Sequence, residues 1–325
     1  MKSILIYTEG GHYLGLGNVY RMIELSASLK KTNQDIQIMF ITSSGEYVQH
    51  LIKEKRYNLI HCNKSKVLDT IINLTFDILI IDKLNLKNSF LSEIRKAKKQ
   101  NIKIVLFGNL TSANNFADLV INAMIGSDFE NKDYYIGKTH YLVGPKYLTL
   151  REEFKHNSYV YKNNLKKILL LFGGSDQANY SYKVTRDIYE ISNEKYTLTV
   201  ITGPGYQNNE ILNKFISDKY NIHHFSNVNN ISYFINNNDF MVTSPGTSMF
   251  EGFYTGIPTI GLFQNESQKK IFRDFFMTID YKKIDNIVDY IQSIYYNYQK
   301  YQLELKKYEV GLGKKEIINK ITEMI

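Results

Sequence analysis

Cysteine is almost missing from this chain of 325 residues: Cys62 stands alone, which excludes an internal disulfide and a cysteine-based metal cluster and fits a reducing cytoplasm. No apolar run reaches the ~18 residues that a membrane-spanning helix needs. The opening stretch MKSILIYTEGG loses its apolar character after Tyr7 and offers no small-residue cleavage site, so it is expected to be a buried first strand and not a leader. Clustered Asp or His of the kind a metal demands is also lacking, and neither a metal nor a cofactor beyond the substrate is expected. The balance of 40 Lys and Arg against 32 Asp and Glu gives a net charge of +8. The lysines are nevertheless scattered, as in KKTNQ, RKAKKQNIK and LKKYEVGLGKK, with no basic stripe interleaved with aromatics. That pattern argues against a nucleic-acid partner. It leaves a generally basic surface suited to peripheral contact with anionic lipid on the inner membrane surface, or to a phosphorylated substrate.

What is present is a rhythm. SILIYT (3–8), IQIMFIT (36–42), DILIID (77–82), IKIVLFG (102–108) and DLVINA (118–123) are short, nearly continuous apolar runs. Such runs predict strands covered on both faces. Helical periodicity lies between them, over Val19 to Leu29 and more briefly over Phe90 to Lys98. The rhythm restarts with KKILLLFGGS (166–175), YTLTVITG (196–203), IHHFS (222–226), DFMVTSPG (239–246) and IPTIGLF (257–263). Strand–helix alternation predicts parallel sheets with crossover helices, and the length suits two domains of about 150 residues. The polar segment REEFKHNSYVYKNNL (151–165) reads as a linker between domains at 1–150 and 166–325, the second ending in a helical tail.

In open α/β sheets ligands bind outside the carboxyl ends of strands. Four loops there are rich in glycine or small polar residues. EGGHYLGLGN (9–18) precedes a helix whose N-terminus would favour an anion, but Gly15-Leu16-Gly17 lacks the spacing of a dinucleotide fingerprint and a structural tight turn accounts for it equally. In GGSD (173–176), Gly173 and Gly174 expose amides while Ser175 and Asp176 can cap the next helix, with or without a ligand. In SPGTSMFE (244–251), Ser244, Gly246, Thr247 and Ser248 place small donors and amides at a helix start, as a diphosphate requires. Glu251 follows about one turn later, where a carboxylate could accept hydrogen bonds from two ribose hydroxyls. QNES (264–267) follows the last strong strand. Together the four favour a phosphorylated ligand.

Particular segments carry a family resemblance: GLGNVYR (15–21), REEF (151–154), GGSD, SPGTSMFEGFYTGIPTIGLF (244–263) and NES (265–267). They resemble the PseG/SpsG group, which holds a UDP-deoxyamino-sugar hydrolase of pseudaminic acid synthesis and a spore-coat polysaccharide branch regarded as glycosyltransferases. The second-half motif also resembles MurG-type glycosyltransferases. The likeness runs from the N-terminus to about residue 275. It implies an α/β, GT-B-like fold of two Rossmann-like parallel-sheet domains facing a central cleft, with the nucleotide held mainly by the C-terminal half. It also implies Glu251 as the ribose ligand, with Ser175, Thr247 and Ser248 along the diphosphate.

One departure bears on the chemistry. The resembling hydrolases carry a histidine, the proposed base, directly after the glycine pair, where this chain has Asn18. Asparagine cannot take up a proton near neutral pH. Loss of a general base removes roughly 10²–10⁴ in rate. His12 is the alternative base, or else a surface or structural histidine. Phe107-Gly108-Asn109 also stands where acidic residues are expected of the hydrolase. The sequence thus favours a glycosyltransferase using a nucleotide-sugar donor, with a UDP-sugar leading and a glycan or lipid-linked acceptor. The alternatives are the UDP-deoxyamino-sugar hydrolase and an inactive nucleotide-sugar-binding homologue. The expected site comprises His12 and Asn18 for catalysis, and Gly17, Gly173, Gly174, Ser175, Ser244, Gly246, Thr247, Ser248 and Glu251 for the nucleotide. Asn265 and Glu266 are expected at the sugar, as is Arg21, which could instead pair with Glu24 on its own helix.

Overall fold

The computed structural model describes residues 2–11, 15–99, 101–124, 130–154 and 159–325. They form two compact units, Met1–Arg151 together with Gly311–Ile325, and Glu152–Val310.

The first unit is built on β1 (Ser3–Thr8), α1 (Gly17–Thr32), β2 (Gln37–Thr42), α2 (Glu46–Glu54), β3 (Asn58–His61), α3 (Val67–Asn73), β4 (Ile78–Asp82), α4 (Asn88–Ala97), β5 (Lys103–Phe107), β6 (Leu119–Asn122), β7 (Lys132–Ile136) and β8 (Thr139–Val143). The strands lie in the order β3-β2-β1-β4-β5-β6-β8-β7, parallel except for β7, which runs antiparallel to β8. Alternation along β1 and β4 assigns the two faces. Ile4, Ile6, Ile78 and Ile80 meet Val19, Met22, Leu25 and Leu29 of α1. Leu5, Tyr7, Leu79 and Ile81 meet Ile71 of α3 and Leu91 and Ile94 of α4. Each such burial contributes about 1.5–3 kcal/mol, which is why these runs are apolar on every residue. Three strands of this unit escaped the sequence reading. β3 is a short edge strand with no fully buried residue, and β7 is exposed along its whole length, so neither carries an apolar signature. β8 is buried, joined to β7 by the hairpin turn at Gly137 (φ 59°) and paired in parallel with β6.

The second unit holds β9 (Lys167–Leu171), α5 (Tyr180–Ile191), β10 (Thr197–Thr202), α6 (Asn209–Ile216), β11 (Ile222–Ser226), α7 (Ile231–Asn236), β12 (Phe240–Thr243), α8 (Thr247–Thr255), β13 (Thr259–Leu262), α9 (Glu266–Phe272), β14 (Thr278–Ile279), α10 (Ile287–Tyr296) and α11 (Tyr298–Lys306). Its sheet is parallel throughout, in the order β11-β10-β9-β12-β13-β14, and repeats the central topology of the first unit.

Two expectations about organisation are corrected. The described residues of the supposed linker, 152–154 and 159–165, are bound along the second unit. Phe154 is buried against Leu169, Met241 and Ile257. Tyr159 N donates to Thr255 O (2.8 Å), and Lys162 Nζ reaches Asp239 Oδ1 (2.7 Å). Asp239 Oδ2 also accepts from the amides of Lys166 (3.0 Å) and Lys167 (2.8 Å) at the entry to β9. Among the segment's described residues Phe154 and Leu165 are buried and anchor it, while Glu152, Val160, Lys162, Asn163 and Asn164 are exposed. The tail, in turn, does not stay with the second half. The last helix, α12 (Lys314–Glu323), belongs to the first unit, where Ile317, Ile318 and Ile321 join the α1 core.

Candidate functional site

In the second unit the chain leaves β9 for β10 on one side and later resumes at β12 on the other. The carboxyl ends of β9 and β12 are therefore the topological switch point, the place where ligands bind in open α/β sheets. The three glycine-rich or small-polar loops of this half all issue from neighbouring strands there: 173–176 after β9, 244–246 after β12, and 264–265 after β13. Gly173 (φ 78°) and Gly246 (φ 152°) have conformations that L side chains rarely adopt, and open space lies where a Cβ would stand. Thr247 and Ser248 open α8, whose first amides have no intrahelical partner and whose dipole favours an anion. Glu251, one turn in, is 3% exposed.

These loops are tied to one another. Gln264 Nε2 donates to Phe172 O (2.9 Å) and to Ser244 Oγ (2.5 Å), and Gln268 Nε2 donates to Pro245 O (3.1 Å). Gly205 N donates to Gly174 O (2.8 Å), and a Cβ on Gly203 would lie 2.5 Å from Gly174 Cα, so only glycine allows these two turns to touch. Asp176 performs the capping expected of this loop: its carboxylate accepts from the amides of Tyr180 (2.9 Å) and Ser181 (2.6 Å). Burial pushes its carboxyl up despite those amides. Asn265 Oδ1 accepts from Gln268 N (3.0 Å) as the N-cap of α9, and the Glu266 side chain is 90% exposed beside Lys269.

The first unit has its own switch point, between β1 and β4. Gly11 and Gly15 close the glycine loop with reciprocal bonds, Gly11 N to Gly15 O (2.9 Å) and Gly15 N to Gly11 O (2.8 Å), so these two amides serve the turn itself. His12 lies outside the described residues. Gly17 and Asn18 form the start of α1. Arg21 does not pair with Glu24, which binds Lys314 of α12 instead. Its guanidinium grips Asp82 at the end of β4, Nε to Oδ2 and Nη2 to Oδ1 both at 2.7 Å, and Nη2 also donates to Asn18 Oδ1 (2.9 Å). Burial works against the Arg21 charge, but the Asp82 carboxylate more than offsets it and leaves the guanidinium above its ordinary range. Asn109 is a loop brace, accepting from Leu86 N (3.0 Å) and donating to Asn114 Oδ1 (2.8 Å).

Beside this triad sits a network that the sequence reading missed. Glu9, just past β1, accepts from Tyr7 Oη (2.5 Å), Ser43 Oγ (2.7 Å) and Lys83 Nζ (2.9 Å). Burial raises the Glu9 carboxyl, yet the three donors together hold it below the usual range. The available signal was positional, since Glu9, Ser43 and Lys83 each directly follow a predicted strand. Among the described residues no group of three or more His, Cys, Asp or Glu is placed to hold a metal ion, and no helix is long and apolar enough to cross a membrane.

Two parallel α/β units of Rossmann strand order, each with polar loops at its switch point, define the GT-B class of fold. No family model matches the chain. It is distantly homologous to the spore coat polysaccharide biosynthesis protein SpsG of Bacillus subtilis, 26% identical over 83% of this chain and 80% of that protein. An uncharacterized protein of Methanocaldococcus jannaschii is 35% identical over 99% of this chain, which spans 66% of that protein's length. Among solved structures, MurG of Acinetobacter baumannii has the same fold, with a TM-score of 0.64, 10% identity and coverage of 99% of this chain and 100% of the other. HepE of Anabaena, solved in complex with UDP, superposes with a TM-score of 0.57 at 12% identity over 99% of both chains.

Proposed function

We propose that this chain is a nucleotide-sugar-dependent glycosyltransferase of surface-polysaccharide or glycan biosynthesis, with a UDP-sugar as donor and a glycan or lipid-linked acceptor. The observation that carries the reading is the second unit's switch point: the Gly173–Gly174 turn lies beside the N-terminus of α8, with buried Glu251 one turn further in. The similarity to SpsG and the UDP complex of HepE support the same ligand class. In this reading Glu251 accepts from the ribose hydroxyls, while Gly173, Gly174, Ser175, Gly246, Thr247 and Ser248 hold the diphosphate. An acceptor hydroxyl attacks the anomeric carbon as the carbon–oxygen bond to the diphosphate breaks. The negative charge passes to amides and hydroxyls fixed in advance, and the acceptor's proton goes to a base for which His12 is the candidate. Gly17 and Ser244 are assigned to the nucleotide as well, and Asn18 to the sugar or acceptor side. Asn265 and Glu266 are placed at the sugar by their position after β13; in the free protein the Asn265 side chain caps α9 and that of Glu266 is exposed.

The test is incubation with UDP-, CMP-, GDP- and dTDP-sugars without acceptor, following released nucleotide and sugar. Specific UDP binding with slow release is the expected outcome. Rapid appearance of one free sugar would assign the chain to the hydrolases. Glu251→Gln keeps the volume of the side chain and removes its charge. It is expected to weaken UDP binding about tenfold to a hundredfold, the worth of a charge-assisted hydrogen bond, and unchanged affinity in calorimetry would remove Glu251 from the ribose.

A further inference from the structure

The geometry points to a role for Arg21 and Asp82 that differs from contact with the sugar. We propose that they are positioning residues that lock the Asn18 carboxamide with its oxygen inward and its nitrogen outward, so that position 18 meets a sugar ligand as a hydrogen-bond donor. The step to a sugar ligand rests on the function proposed above; the lock itself does not.

The argument is one of donor and acceptor inventory. A guanidinium has only donors, so the atom of Asn18 that Arg21 Nη2 meets at 2.9 Å must be the carboxamide oxygen. Arg21 in turn has little freedom. Both of its bonds to Asp82 measure 2.7 Å, the two side chains are 10% and 1% exposed, and a two-pronged pair of this kind fixes the plane of the guanidinium. Asp82 is the last residue of β4 and pairs in register with Thr8 of β1, so the anchor is part of the sheet. Gly108 lies against the guanidinium: a Cβ there would stand 3.8 Å from Arg21 Nη2, an ordinary contact. The chain from sheet to Asp82 to Arg21 to Asn18 thus ends in an amide nitrogen with two N–H groups, placed on the first turn of α1 next to the strand ends. Such a group can steady a ligand hydroxyl or a developing negative charge; it cannot remove a proton.

The test uses 15N-labelled full-length protein without nucleotide, so its failure is separate from failure of the UDP assignment, which the binding assay reads. The side-chain amide of Asn18, identified by its loss in Asn18→Asp, is expected to be as rigid as ordered backbone, with an order parameter of about 0.85, and to fall below about 0.6 in Arg21→Lys. Equal rigidity in both proteins, or a mobile amide in the wild type, overturns the proposal. Asp82→Asn is a harsher variant, because it leaves a buried guanidinium without its counter-ion and can unfold the unit. Asn18→His retains the anchor and supplies a second readout. With Arg21 donating to one ring nitrogen, the introduced imidazole is expected to titrate at least about one unit below its ordinary 6.5. An ordinary titration would show that Arg21 does not hold position 18.

Discussion

Glu9 is a buried carboxylate that keeps its charge because three donors from three strand ends converge on it: Tyr7, Ser43 and Lys83. Its folded-state pKa lies below the ordinary glutamate value, so ionised Glu9 stabilises the folded form. That contribution is fully present above about pH 4.3, the value in an unfolded chain, and is lost as the pH falls through the depressed folded value. The stability difference between wild type and Glu9→Gln should accordingly be largest near neutral pH and shrink towards zero in acid. Urea unfolding at a series of pH values checks this, and a difference independent of pH would mean that Glu9 is not ionised in the native protein. At this scale the sequence showed polar residues at strand ends but not which of them meet. Tyr7 and Lys83 are 76 positions apart, and only pairing of β1 with β4 brings them together.

At the level of elements, the loop 173–176 shows how one short segment serves two ends. Gly173 turns the chain out of β9 with a positive φ, and Asp176 starts α5 by accepting from two of its amides. Asp176→Ala removes both bonds and is expected to cost about 1–2 kcal/mol of stability, measured as a lower urea midpoint at unchanged slope. Most of the ten strands read directly were legible because burial on both faces demanded an apolar run, as in β1, β4, β5, β9 and β12; the edge strand β11 was read too, although only Ile222 in it is buried. Strands were illegible where an edge position relaxed that demand, as in β3 and β7. The cap at Asp176 read equally well, since it acts on amides only a few positions away; Asn265, expected at the sugar, caps α9.

For the molecule as a whole, the instructive feature is the return of α12 to the first unit. Ile317, Ile318 and Ile321 complete the core under α1, and Lys314 and Glu316 are paired with Glu24 and Lys146. Three buried isoleucines at about 1.5–3 kcal/mol each amount to a large share of a domain's stability of about 5–15 kcal/mol. Deleting 311–325 should therefore melt the first unit at a much lower temperature and leave the second unit's transition in place, as calorimetry with limited proteolysis would show. If the deletion lowered the second transition instead, α12 would belong where the sequence reading had put it.

The sequence by itself determined the α/β class of the two halves, their buried strands and the glycine-rich and small-polar loops at the strand ends. Each follows from local causes: runs of apolar residues set by burial, glycines set by backbone angles, and caps reaching a few residues along the chain. Tertiary structure alone decided that Arg21 serves Asn18 and not Glu24, that Glu9 gathers Tyr7, Ser43 and Lys83, and that the last helix belongs to the first unit. Those pairings join residues far apart in the chain, and composition and periodicity carry no record of which distant side chain a given face will meet.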